Sequence, residues 1–140
     1  MKKHPEENYK KMILVDSNYI IALINDKEKN HKRARELSSR VDNEEKIMPL
    51  LMLSEAVTSI GSRKKGKIAK LIYDTIVDNF EIYYPTTDEI ETAMKCVLKY
   101  DGSLSLADCL AVHIMKKRAI TEIISFDDDF DKVGGIVRTH

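Results

Sequence analysis

The sequence predicts an α/β fold, a three-layer α/β/α sandwich around a parallel sheet of about five strands, and three observations lead there. Short apolar, β-branched runs alternate with longer stretches of helical spacing, the pattern of strands joined by crossover helices. The chain has 140 residues, enough for one domain with a sizeable core and short of two. It is 43% hydrophobic and 33% charged, the balance of an ordinary globular protein and not of a disordered or fibrous one.

Bulk charge excludes little. Lys plus Arg and Asp plus Glu both number 23, so any surface for a polyanion must come from local clustering. The two cysteines, Cys96 and Cys109, form neither a CxxC pattern nor a disulfide framework, and they read as small buried hydrophobes in a reducing cytosol. No apolar run approaches the roughly 20 residues of a membrane span. The opening stretch "MKKHPEENYKK" lacks the apolar region of a signal peptide. The expectation is a cytoplasmic protein with a polar tail over 1–11 and one domain over 12–140.

Within that domain each element has its own signature. Ile13–Val15 is apolar and β-branched, a buried strand, and "SNYIIALIN" after it is helical. "KNHKRARELSSR" is a charged outer helix, and "KIMPL" a short strand with Pro49 at its end, where a missing N–H does least harm. "LLMLSEAVTSIG" is a helix expected to end near Gly61; "KGKIAKLIYDTIVDN" resumes helical spacing at Ile68, Ile72 and Ile76. "FEIYYP" is the third strand, and the helix "TTDEIETAMKCVLKY" has Thr86 or Thr87 as N-cap ahead of first-turn acids. The loop "DGS" leads to the helix "LSLADCLAVHIMKKR", the strand "EIISF", the acidic turn "DDDF" and a last strand in "GGIVRT". There are no internal repeats.

In open parallel sheets the site lies outside the carboxyl ends of the strands, so acids that follow strands carry weight. Asp16 follows the first strand and Asp127, Asp128 and Asp129 follow the fourth; if both strands are central, these carboxylates share one edge. Each has a plainer explanation. Asp16 could cap the next helix, as could Ser17 or Asn18, and the triple aspartate could be a solvated turn. Asp108 shares a helix face with Leu104, Ala111, Val112 and Met115, a costly place for an unpartnered carboxylate. It also stands three residues after Ser105, the spacing of a capping box. Glu55 projects away from the stripe of Leu53, Ala56, Val57 and Ile60, so periodicity places it on the surface.

"ILVDSN", "LMLSEAV", "SLADCLAV" and "SFDDDF", in that order, resemble the motifs of the PIN-domain family. The resemblance runs from Met12 to the C-terminus. It implies a metal-dependent ribonuclease, with the VapC-like toxins of toxin–antitoxin pairs among its relatives. Carried over residue by residue, the family's acid cluster falls on Asp16, Glu55, Asp108 and Asp127, with Asp129 as an accessory ligand. Asn18 and Ser125 match the accompanying polar positions, and Asp128 would serve if the turn is shifted by one. The physics is consistent, since two carboxylates ~4 Å apart repel by about 4 kcal/mol at an effective dielectric of 20. All-oxygen donors suit Mg²⁺ or Mn²⁺. The scattered His4, His31, His113 and His140 are not read as ligands, and no Ser–His–Asp or Cys–His nucleophile is evident.

The implied substrate is single-stranded RNA, and the implied protein partners are an antitoxin and a second copy of the chain. "SRKKGKIAK" supplies a basic cluster for phosphate in Arg63, Lys64, Lys65, Lys67 and Lys70, unless it is only a solvated helix junction. "KKR" at Lys116–Arg118 complements a helix C-terminus instead. The competing readings are a non-catalytic RNA-binding or scaffold module and an Asp-dependent phosphatase or receiver domain. The phosphatases need a second Asp where Asn18 stands. Receivers need one after the third strand, where the chain reads "YYPTTDE".

Overall fold

The computed structural model describes residues 11–140. Five strands and six helices alternate along the chain: β1 Met12–Val15, α1 Ser17–Ile24, α2 His31–Asp42, β2 Glu45–Pro49, α3 Leu50–Lys64 and α4 Gly66–Asn79. Next come β3 Glu81–Tyr83, α5 Thr87–Lys99, α6 Leu106–Arg118 and β4 Glu122–Ile124, then a 3₁₀ turn at Asp128–Lys132 and β5 Val137–Thr139. All pairings are parallel, in the order β3-β2-β1-β4-β5. The chain winds outward from β1 to β3, then returns across β1 to β4. Right-handed crossovers therefore place α1–α4 on one face of the sheet and α5 and α6 on the other. Contacts agree: α1 packs on α2 and α3, α3 on α4, and α5 on α6.

Burial follows from this layering. Ile13, Leu14 and Val15 of the central strand are fully buried, as an apolar strand covered on both faces must be. On α6, Leu110, Ala111, Ile114 and Met115 are fully buried, so the helix that carries Asp108 is locked to the core. On α2 only Ala34, Leu37 and Val41 are buried, which fits an outer helix.

One boundary departs from expectation. α3 does not stop near Gly61 but runs to Lys64, and the break falls at Lys65, whose φ is 75°. Gly61 is there for contact: a Cβ at that position would lie 3.3 Å from the Ala69 Cβ of α4. The missing side chain lets two helices approach and does not end either of them.

The proposed polar tail lies outside the described residues except for Lys11, whose Nζ is 3.3 Å from Glu122. Glu122 is a buried carboxylate at the start of β4. It accepts hydrogen bonds from Arg40 of α2 and Thr139 of β5, and the Arg40 contact chiefly holds its pKa down, to about 2. It thereby ties a helix and an edge strand to the sheet, far from the acid turn at the other end of β4. Glu122→Gln should lower unfolding stability by about 2 kcal/mol, the scale of hydrogen bonds to a buried charge. Urea titration at neutral pH measures this, and a midpoint that does not move would mean the network adds nothing net.

Among the described residues, no helix is long and apolar enough to cross a membrane.

Candidate functional site

Asp16 comes first because β1 is central. It follows Val15, its N–H donates to the Ile124 carbonyl (3.0 Å), and it is 4% exposed. It occupies the N-cap position of α1 but its side chain makes no capping hydrogen bond. Its oxygens instead accept from two hydroxyls: Ser17 Oγ at 3.1 Å and Ser125 Oγ at 2.7 Å. Burial raises its pKa to about 6; Ser125 opposes the rise and the Asp108 charge adds to it, while the Asn18 N–H is the weakest influence. The hydrogen bonds of the Asp16 carboxylate thus go chiefly to hydroxyls, with the first-turn N–H of Asn18 a minor influence.

Ser125, fully buried just after β4, joins the two ends of the chain. Besides donating to Asp16, its Oγ accepts from the Asp127 N–H (3.0 Å) and from Asn18 Nδ2 (3.4 Å). Asn18 Oδ1 in turn accepts from the Phe126 N–H at 3.1 Å. The two accessory polar positions thus act as braces, holding the loop after β4 against the start of α1.

Asp127 caps the 3₁₀ turn, its Oδ1 accepting from the Asp129 N–H at 2.9 Å. One carboxylate oxygen from each of Asp127, Asp128 and Asp129 lies within 4.8 Å of the others, and no other acid, His or Cys trio reaches that spacing among the described residues. Lys132 Nζ sits 2.7 Å from Asp129 Oδ1, so part of this charge is already neutralised.

Asp108 satisfies both of its readings. It completes a capping box with Ser105, whose N–H donates to Asp108 Oδ2 (3.0 Å) and whose Oγ accepts from the Asp108 N–H (3.1 Å). Burial nevertheless raises its pKa, and the charges of Asp127 and Asp129 raise it further. Capping and clustering are not alternatives, because the N-terminus of α6 opens onto the edge where the other acids stand.

Glu55, in α3, is exposed, as its place off the apolar stripe implied. Its pKa is nonetheless raised to about 7, by partial desolvation first and then by Asp16 and Asp108. Helical periodicity records only which face packs; it is silent on what the outer face looks toward once α3 leaves β2. Ser17, read from sequence as another possible cap, proves to donate its hydroxyl to Asp16, and nothing in its spacing could have announced that.

Asp108 acts on Asp16, both act on Glu55, and Asp127 and Asp129 act on Asp108, so acids after β1, on α3, on α6 and in the turn after β4 are linked at the carboxyl edge of the sheet. As a set they do not close to the spacing of the Asp127–Asp129 trio. Holding like charges close together, with Asp16 buried among them, is costly, and a hard divalent cation with oxygen preference would relieve it. The donor set, all carboxylate and hydroxyl oxygens, fits Mg²⁺ or Mn²⁺ and contains no soft ligand. A separate cavity of about 450 Å³, lined by residues such as Tyr19, Ile72, Ile76 and Phe80, contains none of these acids.

The basic cluster lies across the α3–α4 junction. Arg63 is paired with Glu28 (3.1 Å) and Lys70 with Asp74. Lys64, Lys65 and Lys67 are exposed and form no ion pair with any described residue.

Comparison with known proteins bears on the family and the fold. The sequence profile of the PIN domain matches residues 13–136. A VapC ribonuclease of Mycobacterium bovis and the ribonuclease VapC13 of Mycobacterium tuberculosis are each 28% identical over 130 residues, covering 91% of this chain and 98% of theirs. Among solved structures, VapC20 of Mycobacterium tuberculosis, a sarcin–ricin loop cleaving toxin, superposes with a TM-score of 0.77 at 23% identity, over 87% of this chain and 95% of that one. A toxin–antitoxin complex from Klebsiella pneumoniae gives 0.64 at 19% identity, over 89% and 95%. With the order of acids, the sheet and the profile all in agreement, the chain belongs to the PIN-domain family.

Proposed function

We propose that the protein is a metal-dependent endoribonuclease that hydrolyses phosphodiester bonds in single-stranded regions of RNA, and that it acts as the toxin of a toxin–antitoxin pair. The observation that carries the reading is the shared elevation of Asp16, Glu55 and Asp108, three carboxyls from three elements, each raised by burial and by a fellow acid. The ribonuclease names of the relatives at 28% identity support the chemistry, and the toxin role is suggested by the titles of the toxin structures that share the fold.

In this reading Asp16, Glu55, Asp108 and Asp127 hold Mg²⁺ or Mn²⁺, with Asp129 as accessory ligand. The ion supplies charge neutralisation at the phosphodiester and a lowered pKa for the attacking water. The protein's own part is positioning. Ser17 and Ser125 fix both oxygens of Asp16, Asn18 and Ser125 hold the Asp127 loop, and the Ser105 box fixes the first turn of α6. Lys132 restrains Asp129. A constellation so braced loses little freedom when it engages substrate.

The purified protein should cut single-stranded RNA with Mg²⁺ or Mn²⁺ and stop on chelation, while an Asp16→Ala preparation made identically should not cut. Equal cutting in EDTA rejects the metal mechanism. Binding of RNA with no cutting under any metal would favour the scaffold reading.

Lys64, Lys65 and Lys67 are the proposed phosphate contacts, with Arg63 committed in part to Glu28. Replacing the three lysines with Ala should weaken RNA binding and flatten its salt dependence by up to about one unit of log–log slope per lost contact. Filter binding across a salt series measures the slope; an unchanged slope returns the stretch to a solvated junction.

A further inference from the structure

Cys96 of α5 and Cys109 of α6 are both free. Neither takes part in the acid edge, yet the packing of α5 on α6 brings them to one place. Both line a cavity of about 130 Å³, together with Lys99, Lys116 and His113. Cys109 is 1% exposed, whereas Cys96 is half-buried and is the thiol that solvent reaches. Burial chiefly, and Cys96 after it, pushes the Cys109 thiol up, to about 12. Cys109 also follows Asp108, in the first turn of α6.

We propose that Cys96 and Cys109 form a reversible oxidation site, which a peroxide converts to a disulfide that ties α5 to α6 beside Asp108 and slows reaction at the acid edge. The bridge itself rests on the placement of the thiols; its effect on reaction rests on the nuclease reading. Cys96, the thiol that solvent reaches, is the one a peroxide meets first. The Cys96 sulfur attacks hydrogen peroxide; an S–O bond forms, the O–O bond breaks, and the released hydroxide leaves with the thiol proton as water. The Cys109 sulfur then attacks the Cys96 sulfur; the S–S bond forms, the S–O bond breaks, and the departing hydroxyl takes the Cys109 proton as a second water. Two thiols are oxidised and one peroxide is reduced. An S–S bond of ~2.05 Å is far shorter than a contact between two thiols, so closure fastens the first turn of α6, which carries Asp108, to α5.

The test treats the reduced full chain with hydrogen peroxide, then alkylates and digests it. The expected product is a Cys96–Cys109 linked peptide pair, lighter by about 2 Da than the sum of its parts and released by dithiothreitol. RNA cleavage with Mn²⁺ should fall at least tenfold on oxidation and recover on reduction. Cys96→Ser should keep its rate under the same treatment, and Cys109→Ala serves as the second control. Overoxidised Cys96 beside an alkylatable Cys109, or a bridge only between chains, overturns the site. A linked peptide with an unchanged cleavage rate overturns its coupling to Asp108. If the reduced chain does not cut RNA at all, the bridge is still read by mass and the coupling by the Mn²⁺-induced rise in melting temperature. That rise should shrink on oxidation, and an equal rise in both forms overturns the coupling.

Discussion

Asp108→Asn should abolish most RNA cleavage, by about a hundredfold or more, while leaving a metal-free protein at least as stable as the parent. Two roles of Asp108 separate in this substitution. Asparagine keeps a carbonyl oxygen for the Ser105 N–H, and its own backbone N–H still reaches Ser105 Oγ, so the capping box survives in outline. What disappears is the Asp108 charge, and with it the repulsion from Asp127 and Asp129 that, after burial, raises the Asp108 pKa in the parent. Relief of that repulsion is worth up to about 1 kcal/mol after screening and protonation are allowed for. Stabilisation by Mn²⁺ follows RT ln(1 + [L]/Kd), about 2.7 kcal/mol at a hundredfold excess over Kd, and should shrink in the mutant as Kd rises. Melting curves of both proteins, in EDTA and in Mn²⁺, read all of this at once. A less stable mutant that still cuts RNA and responds fully to Mn²⁺ would leave Asp108 with a capping role alone.

The second large effect is in the pH dependence of stability without metal, where two sets of carboxylates pull in opposite directions. Asp16 is raised from 3.8 to about 6 and Glu55 from 4.5 to about 7 on folding. Their contribution is fully present below the unfolded values and is lost as pH rises through about 6 and 7. For Asp16, which is 4% exposed, two units amount to roughly 3 kcal/mol at 1.36 per unit. Glu55 is exposed, so solvent screening makes its share much smaller. Glu89 and Glu122 are both lowered from 4.5 to about 2, Glu89 chiefly by Tyr83 and Glu122 chiefly by Arg40. Their contribution is present above 4.5 and is lost as pH falls through about 2. In EDTA the protein should therefore be most stable near pH 4.5 and lose stability on the way to neutrality. Saturating Mn²⁺ should reverse the upper limb, because ligands must be deprotonated to bind. Urea midpoints measured across that range decide the matter; a metal-free optimum at neutral pH would mean the acids do not share a field.

Much of the architecture is written locally, and the exceptions have physical causes. The strands announce themselves because a parallel sheet covered on both faces leaves no polar side to confuse the pattern: Ile13–Val15 and the apolar part of "EIISF" are the buried runs that they look like. Gly61 misleads, since a glycine that admits Ala69 looks in sequence like one that ends a helix. The order of the acids is legible through resemblance, but their convergence is not, because it depends on β1 lying between β2 and β4. Glu55 shows the limit most clearly. Spacing along α3 assigns it to solvent, and solvent it meets, yet the same outward face is the one turned toward Asp16 and Asp108. The juxtaposition of Cys96 and Cys109 is likewise a property of helix packing, with no trace in their spacing.

The placement of β1 also sets a timetable for the protein's manufacture. Asp16 is made early, but the backbone partner of its N–H, Ile124, and the hydroxyl nearest its carboxylate, Ser125, arrive more than a hundred residues later. Asp127 and the β5 edge come later still. A ribosome must therefore deliver nearly the whole chain before the first carboxylate is held in place. A chain that ends before β4 carries Asp16 without the two partners that fix it, whatever other acids it holds.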